Sequence, residues 1–226
     1  PHNSSVKKSI KQNIAGVANL SKERLMSELK KIILSKNFLQ LSKDSFSLEI
    51  LTTIFPQLVN LNNLEKMNNY SKNIFYKKTF IFLISYLIID ETDNANYFLF
   101  KYNLSNEDKK RIKFLIENYE LFSEKDYFNK KNLQRIFYFN NKSYVIDLLD
   151  LKIFNSKTAP KKLIELKKYF EQFEKPIFPL KAQDLLEKYN LKEGKEFGQK
   201  IRLLEDKWLN NSFKLSNKEI DNVLNN

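Results

Sequence analysis

Apolar side chains return at intervals of three and four residues along almost the whole chain, and nowhere do they alternate as a half-buried strand requires. No Asn-Gly hairpin signal interrupts the pattern. The chain is therefore expected to be all-α, an elongated array of helices. The clearest helix opens with Ser21 as N-cap and Glu23 in its first turn, and sets Leu25, Met26, Leu29, Ile32 and Ile33 on one face. A second starts at Ser105, with Asp108 three residues on, and buries Ile112, Leu115, Ile116 and Tyr119. A third has Pro160 in its first turn and turns Leu163, Leu166, Phe170 and Phe173 inward. The longest apolar run, Phe80 to Ile89, covers as a helix only roughly 15 Å of the roughly 30 Å a bilayer core demands, so it is expected to be a core helix and the chain to have no membrane partner.

With 226 residues the chain can bury a core without disulfides. Its 3 Gly, absent Cys and single His, at position 2, remove whole reaction classes: Gly-rich phosphate loops, thiol chemistry, Cys/His zinc sites and histidine general-base triads. A chain without cysteine fits a reducing cytoplasm, and Pro1 in place of an initiating Met reads as the start of a piece of a longer product.

The net charge of +12 is carried mostly by lysine, since only Arg24, Arg111, Arg135 and Arg202 are arginines. Asn and Lys richness is what an A+T-rich genome produces, but uniform bias would spread the excess evenly. Residues 1–78 hold 13 basic and 5 acidic side chains, a surplus of +8, whereas 79–174 and 175–226 each carry +2. A positive field concentrated in one third of the chain suits a polyanion-binding face, with Lys7, Lys8, Lys11, Lys22, Lys30 and Lys31 as its candidates.

Punctuation divides the remainder. Pro176 and Pro179 break the chain, and Gly194 and Gly198 follow where it is expected to turn into a helix carrying Phe197, Ile201, Leu204 and Trp208 and ending near Asn210. Trp208 is expected to anchor that helix to the core of the last segment. A final helix is capped by Ser216, with Glu219 in the capping-box position. Lys181, Lys188, Lys192 and Lys195 gather near these helix starts as further phosphate candidates. Asp90-Glu91-Thr92-Asp93 sits between two helices and is read as a loop rather than a metal site. Asp147 and Asp150 stand among leucines and are read as part of a solvated helix face.

Several short motifs occur in a telling order. Glu23-Arg24 with Glu28 forms E-R-x-x-x-E on the polar side of a core-packing helix, where Arg24 and Glu28 can pair across one turn. Ile54-Phe55-Pro56-Gln57-Leu58 ends an apolar helix, and Leu104-Ser105-Asn106-Glu107 opens another. Pro179-Leu180-Lys181-Ala182-Gln183-Asp184-Leu185 is followed by Gly194-Lys195-Glu196-Phe197-Gly198 and then by Leu204-Glu205-Asp206-Lys207-Trp208. In this order and spacing the chain resembles the part after the catalytic head of the class II tRNA nucleotidyltransferase (CCA-adding enzyme) and poly(A) polymerase family, in its bacterial form. The first motif looks like that family's neck-helix E-R-x-x-x-E, the second like its L-x-P-E-L turn with Gln57 in place of Glu. The last pair looks like its P-L-x-G-x-D-L and G-P-x-x-G tail signatures, with Ala182 in place of glycine and Lys195 in place of proline.

The resemblance implies the end of a neck at 1–36, an RNA-binding body at 37–175 and a tail at 176–226 that docks the tRNA elbow. It implies that Glu23, Arg24 and Glu28 support a nucleotide pocket, that tRNA and the protein's own N-terminal catalytic head are the partners, and that Mg2+ with CTP and ATP serve the head. The family's two-metal chemistry needs paired carboxylates on a β-sheet head. This chain has no G-S-x-x-R with D-x-D, and the templating E-D-x-x-R would fall upstream of Pro1, so no catalytic or metal-binding residue is expected in it and the chain alone should be inactive. The competing expectations are the same region of a poly(A) polymerase and a helical protein-interaction module with no RNA partner.

Overall fold

The computed structural model describes residues 3–225, so Pro1, His2 and Asn226 lie outside the described residues. Among those described there are fifteen α-helices, three 3-10 segments and no strand. The N-terminal part comprises α1 (Ser4–Asn13), a 3-10 segment (Ile14–Asn19), α2 (Lys22–Ile33), α3 (Phe38–Leu41) and α4 (Ser45–Ile54). Two short helices, α5 (Asn63–Lys66) and α6 (Asn69–Ile74), and the 3-10 turn Phe75–Lys77 lead into α7 (Phe80–Ile88), α8 (Asn94–Lys101) and α9 (Asn106–Tyr119). After a 3-10 turn at Glu120–Ser123 come α10 (Lys130–Phe139), α11 (Lys142–Phe154) and α12 (Lys161–Gln172), then α13 (Ala182–Tyr189), α14 (Lys195–Asn210) and α15 (Asn217–Leu224).

Asparagine has a structural use here. Side chains of Asn3, Asn68, Asn129 and Asn141 accept from backbone N–H groups at the starts of α1, α6, α10 and α11. Ser21, Asp44, Thr79, Ser105 and Ser216 do the same for α2, α4, α7, α9 and α15. Each such cap satisfies an otherwise orphaned donor and is worth about 1 kcal/mol. At α15 the Glu219 carboxylate also accepts from the Ser216 amide, completing the capping box foreseen from sequence.

The largest core cluster runs from Met26 to Phe154 and is centred on α7, of which every residue but Ile81 is buried. Met26, Leu29 and Ile33 of α2 belong to this cluster, so that helix is packed into the same core as α7. The carbonyl end of α7 is closed by two asparagines: Asn60 Nδ2 donates to the carbonyls of Tyr86 (2.9 Å) and Ile89 (2.7 Å), and Asn94 Nδ2 to that of Ile88 (2.7 Å). A second cluster joins α10, α11 and α12 through Leu133, Phe137, Val145, Leu149 and Phe170, with Leu163, Leu166 and Phe173 packed against it. A third holds the C-terminal segment together around Leu185, Phe197, Leu204, Ile220, Val223 and Leu224.

Three expectations are corrected. Asp147 and Asp150 do not lie on a solvated face: they are 4% and 1% exposed, because α11 packs against α7, α9, α10 and α12 and both aspartates point into that packing. Trp208 does not sit in the tail's own cluster but packs edge-on against Tyr138 of α10, Phe178 and Phe213, tying the C-terminal segment to the preceding helices. Tyr138 Oη and Arg135 Nη2 reinforce that junction by donating to Glu205 (2.5 Å) and Asp206 (2.9 Å) of α14. Finally, Gly194 is only the extended N-cap of α14, with φ 165°, and Gly198 lies inside the helix; a Cβ at either position meets open space. The chain's own turn geometry thus demands neither glycine.

Candidate nucleic-acid interface

Helix α2 displays its polar residues in two directions. Glu23, Ser27 and Lys30, with Leu34 just past the helix end, recur at helical spacing along one wall of a groove of about 660 Å³, whose other walls are Lys78–Ile81 at the start of α7 and Asn103, Leu104, Ser105 and Asp108 around the start of α9. Within it Asn103 Nδ2 donates to Glu23 Oε1 at 3.1 Å. A hydrogen bond from its own backbone amide, and then the Asn103 side chain, hold the exposed Glu23 carboxyl below its usual range. Arg24 and Glu28 are exposed and lie outside this groove. Glu28 accepts from Lys31 Nζ at 2.9 Å rather than from Arg24, and Lys31 is the main cause of its lowered carboxyl. The i,i+3 lysine takes the bond that sequence spacing offered to Arg24; Arg24 acts on Glu28 only through space.

The N-terminal lysines are not equivalent. Lys11 is bound to both oxygens of Glu49 (2.6 and 2.7 Å), and Lys7 and Lys11 hang over the Phe46 ring at 5.1 and 5.9 Å. Lys30 stands 5.9 Å from the Phe80 centroid. Lys8 and Lys22 are exposed. In the C-terminal segment Lys181 is the N-cap residue of α13 and Lys195 the first residue of α14, while Lys188 lies over Tyr189 at 5.1 Å and Lys192 lines a small recess with Lys200 and Glu196. All four are exposed. Exposed ion pairs such as Lys11–Glu49 are worth little, so those lysines remain able to exchange a carboxylate for a phosphate.

Sequence reading missed a buried ionic network beneath this surface. Asp147 of α11 receives Nε and Nη2 of Arg111 in a forked contact from α9. One turn on, Asp150 Oδ2 accepts from Lys78, and Lys167 Nζ of α12 lies 2.8 Å from Oδ1, off the hydrogen-bonding line. Burial pulls the Lys78 ammonium below its ordinary range; at Lys167 the same desolvation is outweighed by Asp150, and the ammonium is held above it. Burial likewise pushes the Asp147 carboxyl up against the pull of Arg111. The i,i+3 spacing of the two aspartates was visible, but what surrounds a helix is not written in its own periodicity. Lys78 belongs to both sites, for it also lines the groove beside Glu23.

Asp90 caps its own turn by accepting from the Thr92 amide and hydroxyl, and among the described residues no group of three His, Cys, Asp or Glu side chains is placed to hold a metal ion. Among the described residues no helix is long and apolar enough to cross a membrane.

The described residues are helical throughout their regular structure, the N-terminal third carries the lysine surplus, and residues 3–61 match a family described as the probable RNA and SrmB-binding site of polymerase A. Over 230 aligned residues the chain is 25% identical to the mitochondrial CCA tRNA nucleotidyltransferase 1 of Mus musculus, an alignment covering 97% of this chain and 49% of the mouse protein. The chain is thus similar along its length to a CCA-adding enzyme, and in its first part to the RNA-binding region of polymerase A. It spans about half the length of the curated relative it matches.

Proposed function

We propose that this chain is the RNA-holding neck, body and tail of an enzyme that adds C, C and A to tRNA 3′ ends, divided near residues 36 and 175. The observation that carries the reading is the alignment with a CCA tRNA nucleotidyltransferase along 97% of the chain. On this reading nucleotidyl transfer, with Mg2+, CTP and ATP, belongs to a catalytic head that partners this chain, in the cytoplasm. Glu23, placed by Asn103, would face that head, with Arg24 and Glu28 bracing the same helix. Lysines would supply phosphate contacts with little base selectivity, as recognition of A-form RNA by shape requires. The description of the matched family as part of polymerase A favours poly(A) addition as the second reading.

The test is binding of tRNA lacking its terminal CCA across a salt series, together with label incorporation by the chain alone. Binding should weaken with salt and incorporation should stay at the blank. Changing Lys30 and Lys31 together to Glu should weaken binding and flatten the log–log salt slope by roughly one unit for each phosphate left without its lysine. Wild-type affinity too weak to measure, or no dependence on salt, would favour a protein-interaction module.

A further inference from the structure

Between Asp126 and Asp147 the chain has no acidic residue, and α10 lies within that interval. The solvent side of α10 presents Lys131, Arg135 and Phe139, each about one turn beyond the last, so that neighbouring side chains start about 5–6 Å apart. Phe139 is 57% exposed and is the only large apolar side chain that α10 leaves to water. The Arg135 guanidinium lies over its ring, 5.6 Å from the centroid. Asp206 of α14 fixes that guanidinium by accepting from Nη2 at 2.9 Å, while Nε and Nη1 have no acceptor among the described residues. Glu205, beside Asp206 on α14, is likewise engaged, by the Tyr138 hydroxyl. A lone exposed ring is ordinary. A ring open to water with a guanidinium anchored over it, donors unspent, and a second cation one turn away is a more particular arrangement.

We infer that this stripe of α10 binds single-stranded RNA, an unpaired base stacking on the Phe139 ring and the neighbouring phosphates meeting Arg135 and Lys131. The inference rests on the RNA-binding reading above. An aromatic face set among cations is the combination that single-strand binders use, because every base has a π-face and every nucleotide a phosphate. Arg135 suits a phosphate, since its remaining N–H groups lie in the plane of a guanidinium that stays charged. A protein partner would need a contiguous apolar centre, whereas α10 offers one ring flanked by charge. An RNA duplex keeps its internal bases stacked on one another and has no free face to give.

The experiment uses the 226-residue chain with two fluorescent probes of equal phosphate number, a single-stranded RNA octamer and a blunt RNA duplex. Phe139→Ala and Phe139→Leu should each weaken octamer binding roughly five- to hundredfold with the salt slope unchanged, since stacking is lost but no phosphate contact. Phe139→Trp should keep octamer affinity within about twofold, and the octamer should quench the added indole beyond any change of Trp208, which is 2% exposed. Arg135→Gln and Lys131→Gln should instead flatten the log–log salt slope by roughly 0.7 each. Duplex binding should change less than about twofold in the three Phe139 variants. Millimolar adenosine monophosphate should not displace the octamer, because it lacks the second phosphate. Full octamer affinity in Phe139→Leu, no added quenching in Phe139→Trp, equal losses for octamer and duplex, or displacement by the mononucleotide would overturn the inference while leaving RNA binding intact. If the wild-type chain bound neither probe, the RNA-binding reading itself would fall and this assignment with it.

Discussion

Asp150 shows how much can hang on a single side chain. Buried in α11, it is the shared counter-ion of Lys78 and Lys167, which are themselves 14% and 7% exposed in their side chains. Removing one partner of such a pair leaves charge stranded in a medium that solvates it poorly, at a cost of about 3–5 kcal/mol. Asp150→Leu should therefore lower the urea midpoint drastically, given total stabilities of only about 5–15 kcal/mol. Asp206→Ala, which breaks the half-exposed pair with Arg135, should cost under about 1 kcal/mol. Equal losses in the two variants would mean that the buried network contributes no more than a surface pair. Tyr138 makes a separate prediction. Burial, and after it the hydrogen bond to Glu205, pushes its hydroxyl up to about 12 from an ordinary value near 10. Because the folded state binds that proton more tightly than the unfolded chain, the stability it contributes is complete below pH 10 and is lost as pH rises from 10 to 12. In denaturant titrations at successive pH values, Tyr138→Phe should make the alkaline decline shallower; a decline identical to wild type would remove Tyr138 from the linkage.

At the scale of elements, the helices that sequence made legible are those with both a periodic face and a start signal. Ser21, Ser105 and Ser216 cap α2, α9 and α15 as their positions suggested, and the apolar run from Phe80 forms α7. Short α3, α5 and α6 escaped notice, since four to six residues carry too little periodicity to separate from a loop. Capping should be measurable where it is seen. Ser105→Ala removes the acceptor for the Asp108 amide and should cost about 1 kcal/mol in chemical denaturation. Lys181→Ala at the start of α13, which has no side-chain cap to lose, should change stability by less than about 0.5 kcal/mol. A matching cost at both positions would show that the Ser105 bond is not its source. Of the candidate site, the sequence exposed Glu23 and the lysines but not Asn103. Asn103 meets Glu23 only after some eighty residues of chain have folded between them, and no local spacing records that meeting.

Over the whole molecule, the C-terminal segment has its own small core yet is fastened to α10 by Trp208, by Tyr138 with Glu205 and by Arg135 with Asp206. Deleting it would uncover one side of Tyr138, so weaker binding after truncation would mix two effects. Changing Lys181, Lys188, Lys192 and Lys195 to Gln avoids this, because all four are exposed. If the tail reaches the elbow of tRNA, this quadruple variant should bind full-length tRNA several-fold more weakly with a shallower salt slope, and an acceptor-stem minihelix about as well as before. Equal losses for both RNAs would place those lysines at the acceptor stem.

The ionic network also governs which sequences are reachable from this one. Arg111, Asp147, Lys78, Asp150 and Lys167 come from four separate stretches of chain but meet at two aspartates one turn apart on α11. Any of the five replaced alone leaves the others mismatched, whereas an apolar replacement of several at once can be tolerated, as buried ion pairs in general can be exchanged for packed hydrocarbon. Such positions cannot drift one step at a time. In lineages descending from this protein, sign and size at 111 and 147, and at 78, 150 and 167, should change in company or stay still, so that the network is inherited as a block.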